Sequence, residues 1–285
     1  MKNKTIIFTG GTGGHVIPAV NFGNFLLSKG YICLLITDQR GSKYINNFKG
    51  KVYVINASHF SGNYIMRFKS FLNLLIGLIQ SLIIVIKIRP KRCISFGSYA
   101  TLNPLIIMLL FKLFYKNYIY IHEQNSILGK VNLFILPFAR ALFTNFKVLN
   151  NLDHKYFKKT HNVGLPNNIF INSKFVNIDK ESKKIIFIYG GSQGSAPMLK
   201  KLLIILENIK DNYFSQFKLI LQAPKQIQPV MKKTLNNLKI DFEINDFYSN
   251  IDEILTIAHI VISRAGAGTI NNIINYKIPS IIIPL

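Results

Sequence analysis

Thr5-Ile6-Ile7-Phe8-Thr9 reads as a short strand that runs directly into Gly10-Gly11-Thr12-Gly13-Gly14-His15, with a helical pattern starting near Pro18. Strand, glycine turn and helix in that order make an anion-binding device. The glycines permit positive φ and close backbone approach, so free N–H groups at the helix start can face a diphosphate. The spacing excludes both common nucleotide motifs. A dinucleotide fingerprint through Gly11 and Gly13 needs a small residue where Val16 stands, and a P-loop needs Gly-Lys-Ser/Thr at the helix start. His15 sets this turn apart, because a phosphate cradle has no use for an imidazole and proton transfer does.

The device recurs in a βα series. Strand-like runs fall at Thr5–Thr9, Ile32–Thr37, Val52–Ile55, Lys91–Ser95 and Tyr118–Ile121, with Gly30 as a helix stop before the second. A second series covers Ile185–Tyr189, Lys218–Leu221, Phe242–Ile244, His259–Ser263 and Ser280–Ile283. Two such series predict an α/β protein of two doubly wound, Rossmann-like domains facing across a cleft, with ligands at the carboxyl ends of the strands. Apolar periodicity gives way to Asn, Lys and Ser near residues 162 to 180, so the expected domains are 1–163 and 164–285.

With 285 residues, 49% of them hydrophobic, the chain can bury a sizeable core. A formal charge of +23 suggests an anionic partner. The same Lys-, Asn- and Ile-rich composition without Trp also fits AT-rich coding, which raises charge with no partner behind it. Nucleic-acid binding would rest on charge alone, since no recognition module is visible. Cys33 and Cys93 sit in apolar runs and are expected to be reduced core residues of a cytoplasmic protein. No secretory signal is visible at the start of the chain. There is no Asp-x-Asp and the six histidines are scattered, so neither a metal site nor a cofactor is expected.

Residues 71 to 88 are apolar enough to suggest a membrane span. Lys69, Asn73, Gln80 and Lys87 nevertheless share one narrow helical face, while Phe71, Leu72, Leu75, Ile76, Ile79, Leu82, Ile83 and Ile86 spread over the rest. Both ends are basic, which specifies no orientation across a bilayer. The pattern favours an interfacial or core helix and leaves open whether membrane or protein covers its apolar face. The run from Leu105 to Tyr115 is too short to span and is expected to extend the same apolar, basic patch.

Three further motifs follow. Ile121-His122-Glu123-Gln124-Asn125 ends a strand in four polar residues, Tyr189-Gly190-Gly191-Ser192-Gln193-Gly194 repeats the glycine turn, and Ser263-Arg264-Ala265-Gly266-Ala267-Gly268-Thr269 precedes a helix. That helix N-terminus can stabilise a leaving diphosphate without a metal. Together with the first turn, these motifs resemble the MurG family of GT-B glycosyltransferases, the UDP-N-acetylglucosamine:lipid I transferases of peptidoglycan synthesis, over nearly the whole chain. The resemblance implies a GT-B fold with its second domain incomplete, and inverting transfer of N-acetylglucosamine from UDP-N-acetylglucosamine to the C4 hydroxyl of lipid I. It also implies a peripheral position on the anionic cytoplasmic membrane face and no nucleic-acid partner. By the same resemblance, Thr12, Gly13 and Gly14 contact the sugar donor, as do Asn125, Ser192 and Tyr248. Ala267, Gly268 and Thr269 meet its phosphates and ribose, and His15 is the catalytic base or orienting group.

Departures from the family pattern accompany the match. Asn168 stands where the family has an arginine, and Asn272 where a carboxylate holds the ribose, an exchange that weakens the hydrogen bond by about 1 kcal/mol. The chain also ends at Leu285, ahead of the family's glutamine-bearing segment and final helices, so poor donor binding is expected of it alone. On residues alone, a GT-B transferase with another glycolipid acceptor and a non-catalytic remnant remain open. A nicotinamide oxidoreductase is favoured only by Asp38. His122 and Glu123 read equally well as braces. His59, His154, His161 and His259 read as structural or surface residues, and Ser192 lacks the partners of a nucleophile.

Overall fold

In the computed structural model, which describes residues 4–58, 63–166, 183–190, 195–209, 211–248 and 250–284, the chain forms two compact units, Met1–Ile169 and Phe170–Leu285. The first unit contains β1 (Lys4–Phe8), α1 (Gly13–Ser28), β2 (Ile32–Asp38), β3 (Lys51–Ile55), α2 (Tyr64–Ile88), β4 (Arg92–Ser95) and α3 (Leu102–Leu110). It continues with β5 (Tyr118–Glu123), α4 (Lys130–Ile135), β6 (Ala141–Thr144) and β7 (Thr160–Asn162). All seven strands are parallel, in the order β3-β2-β1-β4-β5-β6-β7. Strand order reverses between β1 and β4, so the loops leaving these two strands flank the crevice where an open sheet takes its ligand. Ile6 and Phe8 enter the core on one face of the sheet and Ile7 on the other, all fully buried, which accounts for an uninterrupted apolar strand.

Three expectations need adjustment. The first helix starts at Gly13, five residues before Pro18, which lies inside it. The turn itself is thus the helix N-terminus. β6 and β7 were not expected. β6 is a four-residue strand reached through the six residues of α4, too short to carry a period, and β7 is a three-residue polar edge strand, half-buried at Thr160 and exposed at His161 and Asn162. The 105–115 run divides: Leu105, Ile107 and Met108 are buried, while Leu110, Leu113 and Phe114 are exposed apolar residues beside the exposed Lys112, so only its second half can extend the patch.

α2 reverses the usual amphipathic arrangement. Its buried positions are Ser70, Gly77, Ser81, Val85 and Ile88. A side chain at Gly77 would collide with the Asn56 carbonyl oxygen, Ser81 Oγ donates to Gly77 O at 2.7 Å, and Asn103 Nδ2 donates to Leu74 O at 3.0 Å. Close approach at Gly77 and the Asn103 bond to Leu74 O therefore seat the helix on the unit, while Ser81 satisfies its hydroxyl within the helix itself. The eight large apolar residues from Phe71 to Ile86 named above are all exposed, Ile83 by 60%.

The second unit contains β8 (Lys184–Tyr189), α5 (Ala196–Glu207), β9 (Phe217–Gln222), α6 (Gln228–Asn237) and β10 (Asp241–Asn245). α7 (Ile251–Ile257), β11 (Ile260–Arg264), α8 (Ala267–Tyr276) and β12 (Ser280–Ile283) complete it. Its parallel order is β10-β9-β8-β11-β12, with the reversal between β8 and β11. Leu199, Leu221 and Leu235 centre one core cluster, and Phe187, Val261 and Leu255 the other.

Candidate active site

The turn after β1 is held from below by an acid. Gly11, at φ +77°, donates its N–H to Asp38 Oδ1 at 2.8 Å, and Gly41 N–H donates to the same oxygen at 2.9 Å. Arg40 Nε meets Asp38 Oδ2 at 3.3 Å, with the arginine 62% exposed and the acid buried. Asp38 thus has both oxygens engaged, by Gly11 of the β1 turn and by Gly41 and Arg40 of its own loop, and a dinucleotide ribose would find no free carboxylate there. Not every N–H of the turn stays open, as the glycine pattern had suggested. Gly11 N–H is taken by Asp38, and His15 and Val16 donate back to Thr12 O at 3.1 and 3.2 Å. Gly13 and Gly14, in the first turn of α1, keep N–H groups without an intrahelical acceptor, and no side chain caps them.

Thr12, His15 and Asn125 line one cavity of about 310 Å³ with Arg40, Ser98 and Lys130. It opens at the carboxyl ends of β1, β4 and β5. Glu123 builds the Asn125 side of this cavity. The acid is buried, its Oε1 accepts from Asn125 N–H at 3.1 Å and Asn125 Nδ2 at 3.2 Å, and its Oε2 accepts from Gly129 N–H and Asn132 Nδ2, both at 2.9 Å. A carboxylate with four donors organises a loop and orients the Asn125 amide; it does not serve as a base. Behind His15, its Nδ1 lies 2.7 Å from Gln124 Oε1, and Gln124 Nε2 lies 3.1 Å from His122 Nδ1. His122 is buried against Phe96, ring centroids 5.0 Å apart, and that burial holds it below the usual histidine range.

In the second unit, Ala267, Gly268 and Thr269 form the first turn of α8, with Gly266 at the N-cap and no side chain capping the three N–H groups. The positive end of the helix dipole is therefore free to meet an anion. Arg264, at the end of β11, brings a charge to the same end of the sheet and donates to Ser195 Oγ at 3.4 Å; the sequence reading quoted it within its motif without a role. Tyr248 is buried, with its ring edge-on to Phe187 at 6.0 Å. Asn272 is half-buried on α8. Ser192 and Asn168 lie outside the described residues, as does His59. His259 is structural, its Nδ1 accepting from Ile185 N–H at 3.1 Å. Both cysteines are free and buried, and desolvation lifts the Cys33 thiol to about 12, so it is no nucleophile at neutral pH. No group of three or more His, Cys, Asp or Glu converges among the described residues.

Residues 5–144 match the glycosyltransferase family 28 N-terminal domain, and residues 185–285 match the glycosyltransferase family 28 C-terminal domain. A Rickettsia akari protein named UDP-N-acetylglucosamine–N-acetylmuramyl-(pentapeptide) pyrophosphoryl-undecaprenol N-acetylglucosamine transferase is 33% identical, over 99% of this chain and 79% of its own length. Proteins of the same name from Rickettsia canadensis and Paramagnetospirillum magneticum are 35% and 30% identical, again over 99% of this chain and over 78% and 77% of theirs. The chain belongs to the MurG glycosyltransferases of family 28. The crystal structure of Acinetobacter baumannii MurG superposes with a TM-score of 0.72 at 18% identity, covering 99% of this chain and 79% of that one. A glycotransferase of kitacinnamycin superposes at 0.70 with 11% identity over 100% and 81% of the two chains. These two likenesses show the GT-B fold, and family membership makes this chain a glycosyltransferase. Among the described residues, the cavity at β1, β4 and β5 and the uncapped first turn of α8 both offer N–H donors or cationic side chains at the carboxyl ends of their strands.

Proposed function

We propose that this chain transfers N-acetylglucosamine from UDP-N-acetylglucosamine to the C4 hydroxyl of the muramyl sugar of lipid I, giving lipid II. The observation that carries this reading is the 30–35% identity to transferases of that name over nearly the entire chain. The site chemistry agrees with it. Attack by the hydroxyl oxygen on the anomeric carbon forms the new glycosidic bond as the bond to the UDP oxygen breaks, and the hydroxyl proton passes to His15. Negative charge then builds on the departing diphosphate, and the open N–H groups of Ala267, Gly268 and Thr269 are the donors to receive it. Thr12, Gly13, Gly14 and Asn125 are read as further donor contacts, with Ser192 and Tyr248 assigned on the family resemblance alone.

The acceptor is a membrane lipid, and α2 supplies a surface suited to its bilayer. The helix is long and apolar enough to cross a membrane by composition. It is also the crossover between β3 and β4 of one sheet, and it is fastened along its length where Asn103 Nδ2 donates to Leu74 O, Asn56 N–H donates to Gln80 Oε1 and Gly77 approaches the Asn56 carbonyl. A helix tied at both ends and in the middle to one sheet lies along a bilayer surface, with its exposed apolar face inserted and Arg67, Lys69, Lys87, Arg89, Lys91 and Arg92 near the headgroups. On this reading the chain sits peripherally on the anionic cytoplasmic leaflet. The deciding experiment is transfer of labelled sugar from UDP-N-acetylglucosamine to a lipid I analogue; no product under conditions where an active relative turns over would overturn the proposal.

A further inference from the structure

We infer that Gln124 and His122 are positioning residues that lock His15 as the Nδ1–H tautomer, so that Nε2 carries the free lone pair of the base. The assignment starts from two groups that can only accept. The Gly164 carbonyl oxygen lies 2.9 Å from His122 Nε2, so that nitrogen must carry a proton and donate. Burial keeps His122 neutral, which leaves its Nδ1 as an acceptor. The partner of that Nδ1 is therefore a donor, and Gln124 Nε2 stands there at 3.1 Å. The same Nε2 lies 2.9 Å from the His122 carbonyl oxygen, the second group that can only accept. Turning the amide over would set its oxygen against both acceptors. Gln124 Oε1 is thus fixed toward His15 Nδ1 at 2.7 Å, and an oxygen at that distance requires a proton on the ring nitrogen.

Two backbone carbonyls thereby determine, through two side chains, which nitrogen of His15 is basic. No described residue bonds His15 Nε2, and the ring lines the cavity together with the charged Arg40, Glu123 and Lys130. A neutral histidine free in water populates both tautomers, and the wrong one presents an N–H where a base must accept a proton. The tautomer stands on the hydrogen-bond geometry together with the burial of His122; its catalytic consequence rests on the proposal that His15 is the base.

The test is nitrogen NMR on the full chain labelled with 15N-histidine, at alkaline pH where imidazoles are neutral, with the His15 signals identified by their loss in His15→Gln. Wild type should give a pyridine-type Nε2 and a pyrrole-type Nδ1, and Gln124→Leu should move both toward the other tautomer. His122→Leu should have a smaller effect, because the backbone carbonyl at position 122 still holds the amide. In the transfer assay, Gln124→Leu should lower kcat by about tenfold or more while leaving the KM for UDP-N-acetylglucosamine nearly unchanged. Gln124→Glu, which keeps an acceptor for Nδ1, should restore the tautomer and raise the pH of the acidic limb. A pyridine-type Nδ1 or an averaged pair in wild type would overturn the inference, as would an unchanged tautomer in Gln124→Leu. Because the spectra read the tautomer whether or not sugar is transferred, an inactive wild type would count against the function and leave this result decisive.

Discussion

Asp38 accepts the Gly11 N–H at 2.8 Å across 27 positions of sequence, and this bond fixes the turn from which α1 and His15 start. Because the same oxygen also holds Gly41 N–H, Asp38→Ala abandons two buried donors. The expected cost is about 1–3 kcal/mol for each. Arg40→Ala removes only an exposed partner and should cost less than about 1 kcal/mol. Denaturant midpoints of the two variants check this, and equal losses would contradict it.

His15→Ala should leave folding intact and lower sugar transfer by about 100-fold or more, the usual scale of a general base. Circular dichroism and initial rates together decide it. Turnover at the wild-type level would make His15 a structural residue.

The apolar face of α2 should bind anionic vesicles, with each nearby Lys or Arg contributing about 1 kcal/mol. High salt or carbonate should release the protein. Ile79→Glu combined with Ile83→Glu alters two exposed positions, so it should spare the fold and weaken sedimentation with vesicles. Retention after carbonate extraction would point to a span instead.

Gly77→Ala tests how α2 is seated. Alanine is favoured over glycine inside an exposed helix by about 1 kcal/mol. Here the added methyl meets the Asn56 carbonyl, and the expected result is a loss of about 1–3 kcal/mol with reduced protection of the helix in hydrogen exchange. A stabilised variant would show that α2 does not pack there.

His122 is held below the ordinary histidine range by burial, so the unfolded chain binds its proton at a higher pH than the native one does. Its contribution is fully present above the unfolded pKa of about 6.5 and is lost as pH falls from there through the native value. Unfolding free energy should therefore drop between about pH 7 and pH 5.5 in wild type, and His122→Asn should flatten that slope.

Local chemistry made much of this protein legible before any coordinates. Gly10 to Gly14 and Gly266 to Thr269 sit at strand-to-helix junctions because glycine and small residues are needed at those positions whatever surrounds them, and the strands around Ile7 and Phe187 announce themselves by being apolar on both faces. β6, reached through the six-residue α4, and the three polar residues of β7 gave no such signal. The face of α2 was equally out of reach, since Ser70, Gly77 and Ser81 are buried by close backbone approach and not by hydrophobicity. Sequence alone determined which residues could take part in the site: His15 after the first glycine turn, Glu123, Gln124 and Asn125 at the end of β5, and Asp38 at the end of β2. Tertiary structure decided what each does. Asp38 became a brace for Gly11, Glu123 a four-donor hub, and Gln124 the link between His122 and His15. A side chain's hydrogen-bonding role depends on partners that lie as many as 109 residues away in sequence, and only the folded sheet brings them within 3 Å.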